Sequence, residues 1–300
     1  MSDIIMDLYA DFAAACGDEL VAAGYALPSG SDEEILRAYA NVQHRRVPVR
    51  ARTVHKASYT VPVELVDGER ELLAAVAAGG DLRPYQSTRL ESATFDDAML
   101  NDFGVQHFHL GTGPHPNKPG FKERTGPLLF AMVKDADFYS IGIYTHDDWA
   151  NIEVVDVIHK NWPDVISSSS PNPKGSSNTG GLKIIGLAQQ YTSEDLVQLR
   201  KAGINVMTQR DDGTIHAAIG GGLTTNRKSA RVSMQLNRIR TDCDNFEQKI
   251  REQLQKEILS GRIPKPVKVR LDRRDNGTFA VIEGSSGEFD LNGALSAPPI

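Results

Sequence analysis

Cysteine is nearly absent from this chain: Cys16 and Cys243 are the only two among 300 residues. They stand far apart in stretches of helical spacing, which offers neither a disulfide framework nor a CxxC knuckle and fits a reducing compartment. Long apolar runs are also missing, and no stretch approaches the ~20 residues that a membrane helix needs. The N-terminus, Met-Ser-Asp-Ile-Ile-Met-Asp, carries acid where a secretory leader would carry Lys or Arg. The expectation is a cytoplasmic protein with no membrane partner. Excess positive charge is lacking too: 33 Lys and Arg stand against 39 Asp and Glu, a net charge of −6. Contact with a nucleic acid must then come from a local patch, not from the surface as a whole. No Gly-x-Ser-x-Gly elbow, His-Glu-x-x-His pair or candidate Cys nucleophile occurs, which removes several common hydrolase classes.

The apolar share of 40% and charged share of 24% suit a globular chain with a buried core. Periodicity predicts an α+β fold: N-terminal helices plus a small antiparallel sheet, then a second α+β domain with a long helix and hairpins. Helical spacing covers 2–24, a helix capped by Ser31 follows, and others are expected at 64–78, 94–103 and 149–162. Residues 105–110 alternate as a strand. Residues 128–133 and 138–144 read as a hairpin across the polar turn 134–137. The segment 167–181, rich in Ser, Pro and Gly, reads as a linker. It separates an expected catalytic domain, 1–166, from an accessory or oligomerisation domain, 182–300. In the latter a strand is expected at 183–187, a helix capped by Ser193, a hairpin across 211–213, a long helix at 227–259 and a hairpin about Asn276-Gly277. Near-heptad spacing on the long helix makes it a candidate for homo-oligomer assembly. The last residues, 294–299, are expected to fray.

Five of the eight histidines fall between 107 and 159. His107 and His109 are one strand alternation apart and share a face. His146 ends the strand 138–144, so three imidazoles can converge if that strand lies near 107–110. Imidazole titrates near working pH, which suits paired acid/base work. Two alternatives stay open: a structural His-x-His bonded to carbonyls, and a metal site completed by His146 with Asp102 or Asp148. The acid/base reading calls for no cofactor and no metal. The run 44–56 concentrates Arg45, Arg46, Arg50, Arg52 and Lys56, whose guanidinium forks match phosphate. They are candidates for contacting an RNA backbone, or for pairing with the acidic excess. Loop 111–126 adds His115, Lys118, Lys122 and Arg124, the last placed to steady a negative phosphate. Tyr139, Tyr144 and Trp149 can stack on bases or fill a core. His159 reads as structural, and His216 has no evident partner. Gly220-Gly-Gly222 lacks the P-loop Lys and reads as a strand-to-helix turn.

A His-bearing strand, a basic loop and the hairpin Leu128–Val133 with Tyr139–Tyr144, ending at His146, resemble the core of RelE-like bacterial endoribonuclease toxins. The resemblance covers only 105–149. It implies metal-independent cleavage of RNA by its own 2′-hydroxyl, in a toxin or phage-defence setting. It assigns His107, His109 and His146 as acid/base candidates and Arg124 as phosphate stabiliser; the reading of the residues above makes Arg45, Arg46, Arg50, Arg52, Lys118, Lys122, Tyr144 and Trp149 the candidate substrate contacts. The chain departs from those toxins in being long and acidic. The competing readings are a non-enzymatic sensor that assembles through its C-terminal part, and a His-ligated metal-dependent hydrolase.

Overall fold

The computed structural model describes residues 3–171, 184, 186–292 and 295. Its elements run β1 (Ile4–Ile5), α1 (Leu8–Ala22), α2 (Asp32–Arg45), β2 (Thr53–Lys56), α3 (Val66–Ala78), α4 (Ala98–Phe103), β3 (Gln106–His109), β4 (Leu128–Val133) and β5 (Asp137–Tyr144). After these come α5 (Glu153–Asn161), α6 (Ser193–Lys201), β6 (Thr208–Gln209), β7 (Ile215–His216), α7 (Ala230–Leu259), β8 (Val267–Arg274), β9 (Gly277–Ile282) and β10 (Glu288–Asp290). The class is mixed α+β. Among the described residues no helix is long and apolar enough to cross a membrane.

The chain forms two compact units, and they run differently from the division expected at 167–181. One comprises Met1–His44, Glu91–Thr94 and Val232–Ile300; the other comprises Arg45–Leu90 and Phe95–Arg231. The reason is that apolar faces from the two ends of the chain share one core, a pairing that no local composition announces. Of the expected linker, 167–169 belong to a 3₁₀ turn (Pro163–Ser169) anchored by buried Ile166, and 172–181 lie outside the described residues. The strand expected at 183–187 also lies partly outside them, and Ile184, Gly186 and Leu187 are not in a strand.

In the first unit, Leu8, Phe12, Cys16 and Leu20 form one buried stripe of α1. They share a core with Val232, Leu236, Ile239, Cys243, Ile250 and Leu254 of α7 and with Val267, Val269 and Leu271 of β8. Each such side chain contributes roughly 1.5–3 kcal/mol by leaving water. The seam of α7 that the sequence offered for assembly is therefore occupied within its own chain. The helix expected from residue 2 starts later, because the Asp7 carboxylate accepts the Ala10 N–H and caps α1 there. Upstream, Ile4 and Ile5 pair in parallel with Val267 and Lys268. The C-terminal hairpin turns at Asp275-Asn276, with Gly277 already paired to Arg274. Of the tail expected to fray, only Leu295 is described, and it is buried.

The second unit is built on a sheet of order β2-β5-β4-β3, in which β2 runs parallel to β5 and the other pairs are antiparallel. The unbroken apolar run of β4 marks a strand covered on both faces. Leu128, Phe130 and Met132 join a cluster with α4 and α5, and Leu129 and Ala131 join another with α3. A bulge between Phe130 and Ala131 shifts the β4–β5 register, so Ile141 and Gly142 fall opposite one interval of β4. His107 pairs with Phe130 and His109 with Leu128, which places both imidazoles on the α4/α5 side. The helix α6 is capped by Thr192 in a box with Asp195, one residue earlier than the Ser193 expected. Ser193 instead accepts the Ile152 N–H. The hairpin across 211–213 is present as the short pair β6 and β7.

Candidate active site

The three histidines of the strand region meet. Ring centroids lie 5.5 Å apart for His107 and His146, 5.7 Å for His109 and His146, and 6.3 Å for His107 and His109. Strand alternation supplies the first two. The third arrives because β5 pairs through Tyr144 with Leu128, and a 3₁₀ turn, His146–Ala150, begins at the end of that strand. The turn is fixed by a capping box in which Thr145 and Asp148 bond reciprocally.

Beside these rings is a cavity of about 440 Å³, within the range of small-molecule sites. Met99, Leu128, Phe130 and Trp149 form its apolar floor, and Arg89, Arg124, His107, His146, Asp96 and Asp97 supply its polar wall. Arg124 Nη2 donates to His146 Nε2 at 3.3 Å and Nη1 donates to Thr88 Oγ1 at 3.2 Å. That bond makes Nε2 an acceptor and puts the neutral imidazole's proton on Nδ1. Among the described residues neither Arg89 nor Arg124 has a carboxylate within ion-pair distance. Arg89 lies 4.9 Å over the Phe95 ring. Two guanidiniums with no anionic partner, facing one cavity, form a seat for an anion.

Proton affinities in the cavity follow from this charge. Burial pushes the His107 pKa below its ordinary value. Asp97 opposes that shift, while His146, Arg124 and Arg89 add to it. His146 is lowered by burial and then by Arg124 and Arg89. His109 is only 1% exposed and is pushed down to about 3, chiefly by burial and then by Arg124. Its Nδ1 accepts the Thr125 N–H at 3.2 Å, and its Nε2 has no partner among the described residues. His109 is not on the cavity wall. It is a neutral, locked ring behind the other two.

The remaining expected contacts disperse. Arg45 and Arg52 are buried, with guanidinium donors committed to main-chain carbonyls: Arg45 to Arg89, and Arg52 to Lys134, Pro48 and Arg50. Neither guanidinium is on the wall of the main cavity. Arg46 is half-buried, and exposed Arg50 lies 3.5 Å from Asp135. Lys122 bonds Glu71 and the Thr112 carbonyl, while Lys118 is exposed in the same loop. That loop is folded back on itself by His115 N–H to Phe121 O and Glu123 N–H to Gly113 O. Tyr144 stacks on Phe130 at 4.8 Å instead of facing the cavity, and burial pushes its hydroxyl pKa up to about 12. Trp149 does line the cavity.

Among the described residues no group of three or more His, Cys, Asp or Glu side chains is arranged to hold a metal ion. At the histidine cluster the outward nitrogen of His146 faces a guanidinium. Asp102, once a candidate ligand, is bound to buried Arg200.

Sequence reading missed Arg89, Asp96 and Asp97, which reach the cavity from a segment with no motif of its own. It also left His216 without partners. In the fold, Ser169 Oγ lies 2.9 Å from His216 Nδ1, His216 Nε2 lies 3.2 Å from His159 Nδ1, and His159 Nε2 lies 3.0 Å from Asp212. His216 is pushed down to about 4, first by burial. The Gly220–Gly222 run is a packing device: a Cβ on Gly220 would sit 2.1 Å from the Leu100 carbonyl oxygen.

Comparison with family models, curated proteins and solved structures finds no match for this chain.

Proposed function

We propose that the cavity cleaves RNA by metal-independent transesterification, with His107 and His146 exchanging protons and Arg89 and Arg124 holding the phosphate. The observation that carries this reading is the imidazole pair 5.5 Å apart beside two guanidiniums that lack carboxylate partners among the described residues, all on one cavity wall. Proton transfer at a phosphate needs a base, an acid and positive charge together. The sequence-level likeness of 105–149 to RelE-like toxins points the same way.

In this reading His146 takes the 2′-hydroxyl proton through Nε2, which already serves as an acceptor. The 2′-oxygen attacks phosphorus, the bond to the 5′-oxygen breaks, and His107 gives its proton to that leaving oxygen. The products are a 2′,3′-cyclic phosphate and a 5′-hydroxyl. His107 is assigned the acid's part because Asp97 helps it hold the proton to be given up, against burial and the neighbouring cations. The bound phosphate draws Arg124 from His146 and counters the burial and like-charge repulsion that lower the proton affinity of both rings. His109 becomes a positioning residue, because a ring that stays neutral down to about pH 3 has no proton to exchange at working pH.

The test is incubation of the full chain with single-stranded RNA of mixed sequence, with product ends analysed. The expected result is 2′,3′-cyclic phosphate ends, activity unaffected by EDTA, and no cleavage of the 2′-deoxy oligomer. Cleavage of the deoxy oligomer, or loss of activity in EDTA, overturns the reading.

A further inference from the structure

We propose that the cavity is selective for guanine, read by Asp97 and Gln106; this rests on the phosphate-cleaving reading above and names its substrate. The cavity is continued by a recess of about 20 Å³, lined by Gln106, Gln86, Arg45 and Leu100 and sharing Ser87, Arg89, Phe95, Asp97 and His107 with the main chamber. Room of that size takes about one water-sized group.

Gln106 is 8% exposed, and its orientation is fixed by its own amide. Nε2 donates to the Arg45 carbonyl at 3.1 Å, a carbonyl that also accepts from Gln86 Nε2 at 3.0 Å. The amide oxygen is thereby turned away from that carbonyl, and it has no hydrogen-bond donor among the described residues. A buried acceptor left without a donor is destabilising, and a ligand N–H in the recess would relieve it. Asp97 stands at the junction of recess and chamber. One of its oxygens, Oδ1, accepts the Leu100 N–H at 3.1 Å, and among the described residues Oδ2 takes part in no hydrogen bond.

The recess lining therefore includes two acceptors, a carboxylate oxygen and an amide oxygen, and a ligand edge with two adjacent N–H donors would satisfy both. Among the common bases only guanine has them on its pairing edge, at N1 and at the 2-amino group. Adenine and cytosine place a ring acceptor beside their amino group, and uracil flanks its one N–H with carbonyls. An acceptor set against Asp97 is repelled, and a missing amino group leaves Gln106 unpaired, so discrimination is by loss of buried hydrogen bonds. With the 2-amino group in the recess, the sugar and phosphate fall toward Arg89, Arg124 and the histidines.

The experiment titrates the full chain with guanosine, inosine and adenosine 3′-monophosphates and with inorganic phosphate, by calorimetry at constant pH. Guanosine 3′-monophosphate is expected to bind at least about tenfold more tightly than the inosine compound, which lacks only the 2-amino group, and more tightly still than the adenosine compound. Asp97→Asn keeps a capping side chain and is expected to abolish the preference for guanine while phosphate binds as well or better. Equal affinity for the three nucleotides, with phosphate bound, overturns the guanine reading and leaves the phosphate seat intact. No binding of any of the four at millimolar concentration overturns both.

Discussion

Arg124 donates to the Nε2 of His146 at 3.3 Å, so the cation that would hold a phosphate also occupies the nitrogen that would take a proton. The two jobs are separated only when an anion enters. Until then the arginine depresses the proton affinity of its neighbour, second only to burial.

Arg124→Gln should therefore raise the pKa of His146, read from its ring-proton shifts in an NMR pH titration. Inorganic phosphate added to the unchanged chain should move it the same way. A His146 titration indifferent to both would show that the guanidinium does not control this ring.

Replacing His107 or His146 with Ala should lower RNA cleavage by about 10²- to 10⁴-fold, the usual weight of a general acid or base, with thermal unfolding little changed for exposed His146. Arg89→Ala should weaken substrate binding more than it alters the pH profile. Full activity in either histidine variant would remove the proton-transfer assignment.

His109→Ala is a different kind of change. It opens a void beneath the cavity and strands the Thr125 N–H that the ring accepts. A loss of about 2–4 kcal/mol in urea unfolding is expected. A variant as stable as the parent would mean that the ring contributes nothing to the fold.

Acid should weaken the fold through its buried imidazoles. His109 and His216 are lowered from 6.5 to about 3 and about 4. Below pH 6.5 the unfolded chain then binds protons that the folded chain refuses. Their contribution is complete above about pH 6.5 and is lost as pH falls toward those lowered values. Urea midpoints at pH 7, 6 and 5 should fall in that order, and His109→Gln should flatten the trend. A midpoint that holds steady or rises on acidification contradicts this.

Gly220→Ala places a methyl group 2.1 Å from the Leu100 carbonyl oxygen, midway along the short helix α4. The same helix puts Ala98 and Met99 on the cavity wall. The substitution should cost about 1–3 kcal/mol and reduce phosphate binding by shifting that wall. Unaltered stability and binding would mean that the contact yields easily.

How much of this was legible follows from the range of each signal. Period-two alternation at 105–110 and the apolar runs at 128–133 and 138–144 are local, and the hairpin and the shared face of His107 and His109 followed from them. The α7 stripe was legible as a stripe, but its partner was not, because amphipathic spacing is the same whether a seam is met by another chain or by Leu8, Phe12 and Leu20 of its own. Arg45 and Arg52 looked like surface cations because charge in a sequence carries no depth. Arg89, Asp97 and Gln106 gave no local signal, since their meeting depends on how a motif-free segment lies along the edge strand.

The order of residues alone determined a mixed α and β chain, the strands that carry two of the imidazoles, and roughly where most helices and turns fall. These depend on neighbours within a few residues, through backbone geometry and side-chain periodicity. Only the tertiary structure decided which arginines face an open cavity, which histidine is sealed and which are reachable, and how the two chain ends share a core. Those outcomes turn on desolvation and pairing between groups tens of residues apart, and the linear sequence does not state those distances.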